Sequence, residues 1–349
     1  MKNKNTRLQR SIRHDLQRNP LMRRRDVLAL SASAALGARQ ANAQGSAASW
    51  PSRPITMVAP LAAGSSVDII SRIIAENIGR SLGQPVVVEN RPSANGNLAM
   101  EQVSRMPPDG YALITLGQTS VAFNPYLYAN LRFDPLKDFA FITRLVAVSN
   151  VLVVKESSPI KSVAELIATA KAQPGRLTFS SGGVGSTHHI SSAMLAQMAG
   201  LDMVHVPYRG APQGILAVES GEVDFAYYNI STLLPAIQGG RLRALAVTSA
   251  QRSPHLPDVA TMQESGVPGY EMSTWLGFAT VAGTPQPVID RLFAAAQTMM
   301  ADAAVLRRLG QIGFDPILPL TPPSEMAALV SAENTRWGPI IRATGARLD

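Results

Sequence analysis

The chain has 349 residues, a formal net charge of +8 and no cysteine. Residues 1–43 hold ten Lys/Arg against two acids, so the rest, with 22 basic and 22 acidic side chains, has a net charge of zero. The basic excess belongs to the leader, and a body without net charge lacks the field that phosphate neutralisation requires, so nucleic acid is not an expected partner. The missing cysteines exclude a disulfide framework, a thiol nucleophile and thiolate metal sites.

In chain order, Arg23-Arg24-Arg25 precedes an apolar run over residues 27–37, and Ala41-Asn42-Ala43 follows with the small-x-small pattern of a signal peptidase site. The run is too short for a helix to cross a hydrocarbon core of about 30 Å. Residues 1–43 are therefore expected to be a cleaved export signal, of twin-arginine or general secretory type, delivering a periplasmic protein that begins near Gln44. Residues 55–59 (ITMVA) read as a strand, and Val67, Ile70, Ile74 and Ile78 then line one face of a helix to about residue 82. A strand at 86–89, a helix at 96–106 and a strand at 111–116 complete a βαβαβ pattern, which implies a parallel sheet.

A second series starts with a short strand near Val151, followed by a capping box from Ser162 to Glu165. Strands at 177–180, 203–206, 225–228 and 244–247 alternate with helices at 187–199, 211–220 and 233–238. A strand at 275–281 follows, and two further helices are expected with Thr284 and Thr321 as caps and Pro285 and Pro322 at their first positions. The expected arrangement is two α/β domains, residues 44–147 with 272–349 and residues 148–271. Strands crossing directly near 145–151 and 272–278 would join them.

Open α/β sheets bind ligands beyond the carboxyl ends of their strands, where loop amides and helix N-termini converge. Two loops there are rich in glycine and hydroxyls. The first supplies Leu61, Ala63, Gly64, Ser65, Ser66 and Asp68, and the second supplies Ser181, Gly182, Gly183, Ser186, Thr187 and His188. Glycines let successive N–H groups face one point, and the hydroxyls add donors at the positive end of a helix dipole. Tyr208 and Arg209, just after a strand, are further candidates; Arg209 could hold a carboxylate bidentately or could equally be an exposed surface arginine.

Signatures of catalysis are missing: no G-x-S-x-G, no Walker loop, no complete G-x-G-x-x-G and no H-E-x-x-H. His188 and His189 project about 100° apart on a helix and cannot chelate one metal together. No catalytic residue, metal or cofactor is expected.

Ordered segments along residues 50–349 carry a family resemblance. They include Pro54 to Pro60 with Gly64 to Asp68, Asp109-Gly110-Tyr111, Asn124-Pro125-Tyr126-Leu127-Tyr128 and Asp134-Pro135-Leu136-Lys137-Asp138-Phe139. Gly185-Ser186-Thr187-His188, Val206-Pro207-Tyr208-Arg209-Gly210, Gly221-Glu222-Val223-Asp224, Leu256-Pro257-Asp258 and Trp275-Leu276-Gly277-Phe278 continue the series. The chain is similar to the periplasmic solute receptors of tripartite tricarboxylate transporters, the Bug receptor family.

The resemblance implies an α/β fold of the type II-like periplasmic binding protein class, two domains closing on a ligand in the cleft. It also implies that the loops at 61–68 and 181–187 hold a carboxylate through amides, hydroxyls and bridging water. The chain departs from the family at Leu61, where an aromatic is usual, at Gly64-Ser65, where paired glycines are usual, and at Phe123, where histidine often precedes Asn-Pro. The expected function is a non-catalytic, monomeric receptor for a small organic anion, delivered to membrane transporter subunits or a sensor kinase. The alternatives are a hydrolase on the same frame, or the effector-sensing half of a transcription regulator, which would need a helix-turn-helix.

Overall fold

The computed structural model describes residues 50–348, and the expected export signal lies outside them. Strand β1 (Ile55–Ala59) leads into helix α1 (Ser66–Leu82), whose apolar face of Val67, Ile70, Ile74 and Ile78 is buried as its periodicity predicts. Ser65 caps α1 by accepting from the Asp68 amide at 3.3 Å, and Gly83, at φ 74°, ends it. Strand β2 (Val86–Asn90), helix α2 (Asn97–Ser104) and strand β3 (Ala112–Gly117) follow, and β1 pairs in parallel with β2 and β3. Helix α2 is shorter than expected at both ends: Gly96, at φ 79°, is its left-handed cap, and the helix stops at Ser104, just ahead of Pro107 and Pro108. After β3 the chain forms one π-helical stretch (Thr119–Phe123) and the short helix α3 (Asn124–Leu127).

The next strand differs most from expectation. In place of a short strand near Val151, β4 runs over Phe139–Lys155. Most of its residues are buried on both faces, so the alternation that would have marked its length is missing from the sequence. Residues 139–149 pair antiparallel with β9 (Ser273–Val281), while residues 150–155 pair antiparallel with β7 (Phe225–Asn229) and β8 (Leu242–Val247). One strand therefore serves both ends of the strand order β2-β1-β3-β9-β4-β7-β5-β6, in which β5 is Thr178–Ser181 and β6 is Val204–Pro207.

Beyond β4, helix α4 (Val163–Ala172) begins at Ser162, which accepts from the Glu165 amide at 3.1 Å. The Glu165 carboxylate reaches back to the amide of Lys161, one residue before the cap, at 2.6 Å. Strand β5 (Thr178–Ser181) is parallel to β6 (Val204–Pro207) and β7, with helices α5 (Thr187–Ala199) and α6 (Ala211–Ser220) between them. Helix α7 (Ile230–Gln238) starts directly at the end of β7, three residues earlier than expected, and accommodates Pro235.

Helices α8 (Gln286–Ala301), α9 (Ala303–Gln311) and α10 (Pro323–Ala343) and the two-residue strand β10 (Asp315–Pro316) complete the chain. The threonine caps expected for α8 and α10 are displaced. Pro285 and Pro322 themselves occupy the cap positions in extended conformations, and Pro287 and Pro323 fall inside the first turns. Thr284 instead donates to Val281 O at 2.7 Å, and Thr321 Oγ1 accepts from Arg144 Nε at 2.9 Å. Helix α10 buries Trp337 completely, its ring 5.0 Å from that of Phe123.

Candidate ligand-binding site

The carboxyl ends of six parallel strands converge on one cavity. Pro60, Leu61 and Ala62 follow β1; Pro92, Ser93 and Asn95 follow β2; Gly117, Gln118, Thr119 and Ser120 end and follow β3. From the other end of the strand order come Gly182 after β5, Arg209 and Gly210 after β6, and Asn229 at the end of β7. Val148 of β4 and Thr274, Trp275 and Leu276 of β9 close the wall where those strands run alongside. The cavity holds about 90 Å³, several times the roughly 10–15 Å³ that one water needs.

Three helices, α1, α5 and α6, present their first residues to this space through Ser65, Ser66, Ser186, Thr187, His188 and Ala211. Their free N–H groups and dipoles favour negative charge. Arg209 is the only charged side chain on the described wall, and it is exposed and in no ion pair or hydrogen bond among the described residues.

His188 contributes as a neutral ring. Burial pushes its pKa down to about 4, and its Nδ1 accepts from the Gly182 amide at 3.3 Å, which leaves the proton on Nε2. A buried relay orders the floor: Ser66 Oγ donates to Asn229 Oδ1 at 2.7 Å, Asn229 Nδ2 to Asn150 Oδ1 at 2.6 Å, and Asn150 Nδ2 to Ser191 Oγ at 2.9 Å. Gln118 Nε2 is anchored by Glu333, while Gln118 Oε1 and Trp275 Nε1 have no protein partner. The assembly offers neutral donors, helix ends and one cation, a set suited to an anion.

Of the residues singled out in the sequence, Leu61, Ser65, Ser66, Gly182, Ser186, Thr187, His188 and Arg209 lie on the wall. Ala63, Gly64, Asp68, Ser181, Gly183 and Tyr208 do not, and most of these fasten the loops. Asp68 accepts from the Gly64 amide and from Asn90 Nδ2, both at 2.9 Å, and pairs with Arg72 at 2.9 Å. Ser181 Oγ lies 2.7 Å from His205 Nε2 and accepts from the Gly183 amide at 3.1 Å. Tyr208 donates to Glu222 Oε1 at 2.7 Å, and Ala63 is exposed to solvent.

Sequence reasoning missed Ser93, Asn95, Gln118, Thr119, Ser120, Asn229 and Trp275. The rule that located the first two loops would have reached Gln118 and Asn229 too, had it been applied to β3 and β7. Trp275 carries no such signal, because it enters from an antiparallel strand. Among the described residues, no group of three or more His, Asp or Glu is placed to hold a metal.

A site of this composition, on α/β layers sharing a long strand, defines a solute-binding protein of the periplasmic binding class. The model of the tripartite tricarboxylate transporter family receptor matches residues 70–346. BugT of Bordetella pertussis (strain Tohama I) is 31% identical over 304 residues, covering 87% of this chain and 93% of the relative. The R. palustris protein Rpa4515, solved with adipate, superposes with a TM-score of 0.81 at 32% identity, covering 85% of this chain and 98% of that one. MatC of Rhodopseudomonas palustris, solved with bound malate, has a TM-score of 0.79 at 30% identity, covering 84% and 100%. The chain belongs to the TctC/Bug family of tripartite tricarboxylate transporter receptors, a family of binding proteins and not of enzymes.

Proposed function

We propose that the chain is a periplasmic receptor for a small organic carboxylate, which it presents to membrane subunits of a tripartite tricarboxylate-type transporter or to a sensor kinase. The observation carrying this reading is Arg209, a lone cation without a partner among the described residues, on a wall whose other polar groups are neutral side chains and helix N-termini. Adipate and malate in the related structures support the same ligand class. In this reading residues 1–43 are removed on export. Residues 44–147 with 272–349 and residues 148–271 act as two lobes of a monomer, closing on the solute by bending β4 and β9.

Calorimetric titration with adipate, malate and a panel of other organic acids tests the proposal. Arg209→Gln should weaken the best ligand by about tenfold to hundredfold, the equivalent of roughly 1.5–3 kcal/mol for a hydrogen bond to a charged group. Wild-type affinity in that variant would remove Arg209 as the anchor, and a panel without a single binder would remove the carboxylate class. N-terminal sequencing of periplasmic material should read from about Gln44.

A further inference from the structure

Three of the chain's five histidines surround the loop between β5 and α5. Two of that loop's amides bond to imidazole nitrogens: Gly182 N–H to His188 Nδ1 at 3.3 Å and Gly185 N–H to His189 Nδ1 at 3.1 Å. Because adjacent helical side chains diverge by about 100°, the His-His pair that cannot chelate a metal can instead reach two different glycines. His189 is absent from the cavity wall. Its ring stacks on His205 with centroids 4.1 Å apart and planes 11° apart, and His205 stacks in turn on Phe179 at 4.9 Å.

From the other side the loop meets the cavity wall itself. Asn95 Nδ2 donates to Val184 O at 2.6 Å, and a side chain at Gly185 would overlap Leu127. A shift of Gly185 therefore displaces a wall residue, Asn95, together with Ser186 and Thr187 next to it.

We propose that His189, backed by His205, is a positioning residue for the ligand site, whose unprotonated Nδ1 fixes the Gly185 amide, and that protonation releases the loop and the bound anion. Acid turns the Nδ1 acceptor into a donor facing another donor, so the bond to Gly185 is lost and the two N–H groups repel. The groups facing His189 are His205 of β6 and Phe179 of β5; those facing His205 are His189, Phe179 and Ser181; Tyr228 of β7 faces His188. Among the described residues no carboxylate is hydrogen-bonded to or ion-paired with any of the three rings, so an imidazolium there lacks a contacting counter-charge. In agreement, burial holds His189 at about 4, and burial followed by the neighbouring His189 holds His205 at about 3.

Hydrogen exchange of the segment 181–189, corrected for the intrinsic rate, should be followed from about pH 7 to about pH 4 in wild type, His189→Asn and His189→Leu, with near-ultraviolet circular dichroism monitoring the fold. Asparagine places a non-titrating oxygen where Nδ1 lies, whereas leucine fills space without an acceptor. Wild type should lose about tenfold of its protection at the acid end, an opening worth about 1.4 kcal/mol. His189→Asn should keep its protection at the Gly185 amide as pH falls, any remaining acid loss lying at Gly182, where His188 still titrates, and His189→Leu should exchange fast at Gly185 throughout. A flat wild-type profile while the fold persists, or identical asparagine and leucine profiles, would overturn the proposal; if leucine does not fold, wild type against asparagine decides.

The ligand arm depends on the carboxylate reading and uses adipate and malate at both ends of the pH range. Protonation of these acids affects both proteins alike, so the quantity read is the extra acid loss of affinity in wild type over His189→Asn. No difference between the two proteins would sever the loop from the ligand. If neither acid binds near neutral pH, the carboxylate reading fails, while the exchange profiles still decide the role of His189.

Discussion

Asp68 commits both carboxylate oxygens to the protein: Oδ2 accepts from the Gly64 amide and from Arg72 Nε, while Oδ1 accepts from Asn90 Nδ2 and is ion-paired with Arg72 Nη2 at 2.9 Å. Burial raises its pKa, but the bonds from Arg72, Gly64 and Asn90 together outweigh burial, and the net shift is downward. Asp68→Asn should therefore lower stability by about 1–3 kcal/mol in urea unfolding. The sign follows from linkage: a depressed carboxylate contributes fully above its unfolded pKa of about 4 and loses that contribution as pH falls through the folded value. The buried histidines act higher in pH. With pKa values of about 4, 4 and 3 for His188, His189 and His205 against 6.5 when exposed, the unfolded chain binds more protons between those limits. Stability should fall as pH drops from about 6.5 towards 4, by up to about 1.4 kcal/mol per pH unit for each ring, and a melting series against pH would show it. Arg209 was legible in the sequence as a cation after a strand, but its freedom from partners depends on the tertiary surroundings.

At the scale of elements, the loop from β5 to α5 offers a paired test. Gly185 at φ 78° and Gly200 at φ 64° both require the left-handed region. An alanine at Gly200 would meet nothing within 4 Å, whereas one at Gly185 would overlap Leu127 and crowd Asn95 Nδ2. Gly200→Ala should cost about 1 kcal/mol in backbone strain, and Gly185→Ala should cost clearly more. Equal losses in chemical denaturation would mean that the close approach is unimportant. Ser186→Ala, which removes the cap on the His189 amide, should cost about 1 kcal/mol.

Local signals made most of this architecture readable. Caps at Ser65, Ser162 and Ser186 and the apolar face of α1 sit where propensity places them. The full length of β4, the wall positions of Gln118 and Asn229, and the entry of Trp275 depend on pairings between distant parts of the chain, which leave no local pattern. The shifted starts of α8 and α10 had a weaker local cue, since each site holds two prolines and only one can lie ahead of the first turn.

For the whole molecule, two hydrogen bonds join loops that belong to opposite ends of the strand order. Asn95 reaches Val184 O at 2.6 Å, and Ser66 reaches Asn229 at 2.7 Å, across the cavity they both line. With such bonds available before a solute arrives, Asn95→Ala should shift the ligand-free protein towards a more open form. Small-angle scattering should show a larger radius of gyration in the variant, and identical profiles would count against this role for Asn95.

The placement of β9 has a consequence for the order in which the chain can be assembled. This strand lies between β3 and β4, so residues 113–117 and 139–149 wait for partners at 273–281. During synthesis the β1–β3 layer is complete more than a hundred residues before its neighbour is made, and until then both β3 and the first part of β4 keep open edges able to pair with another chain. A fragment ending before residue 273 should therefore associate with itself, while addition of the remaining segment, residues 273–349, during refolding should suppress that association.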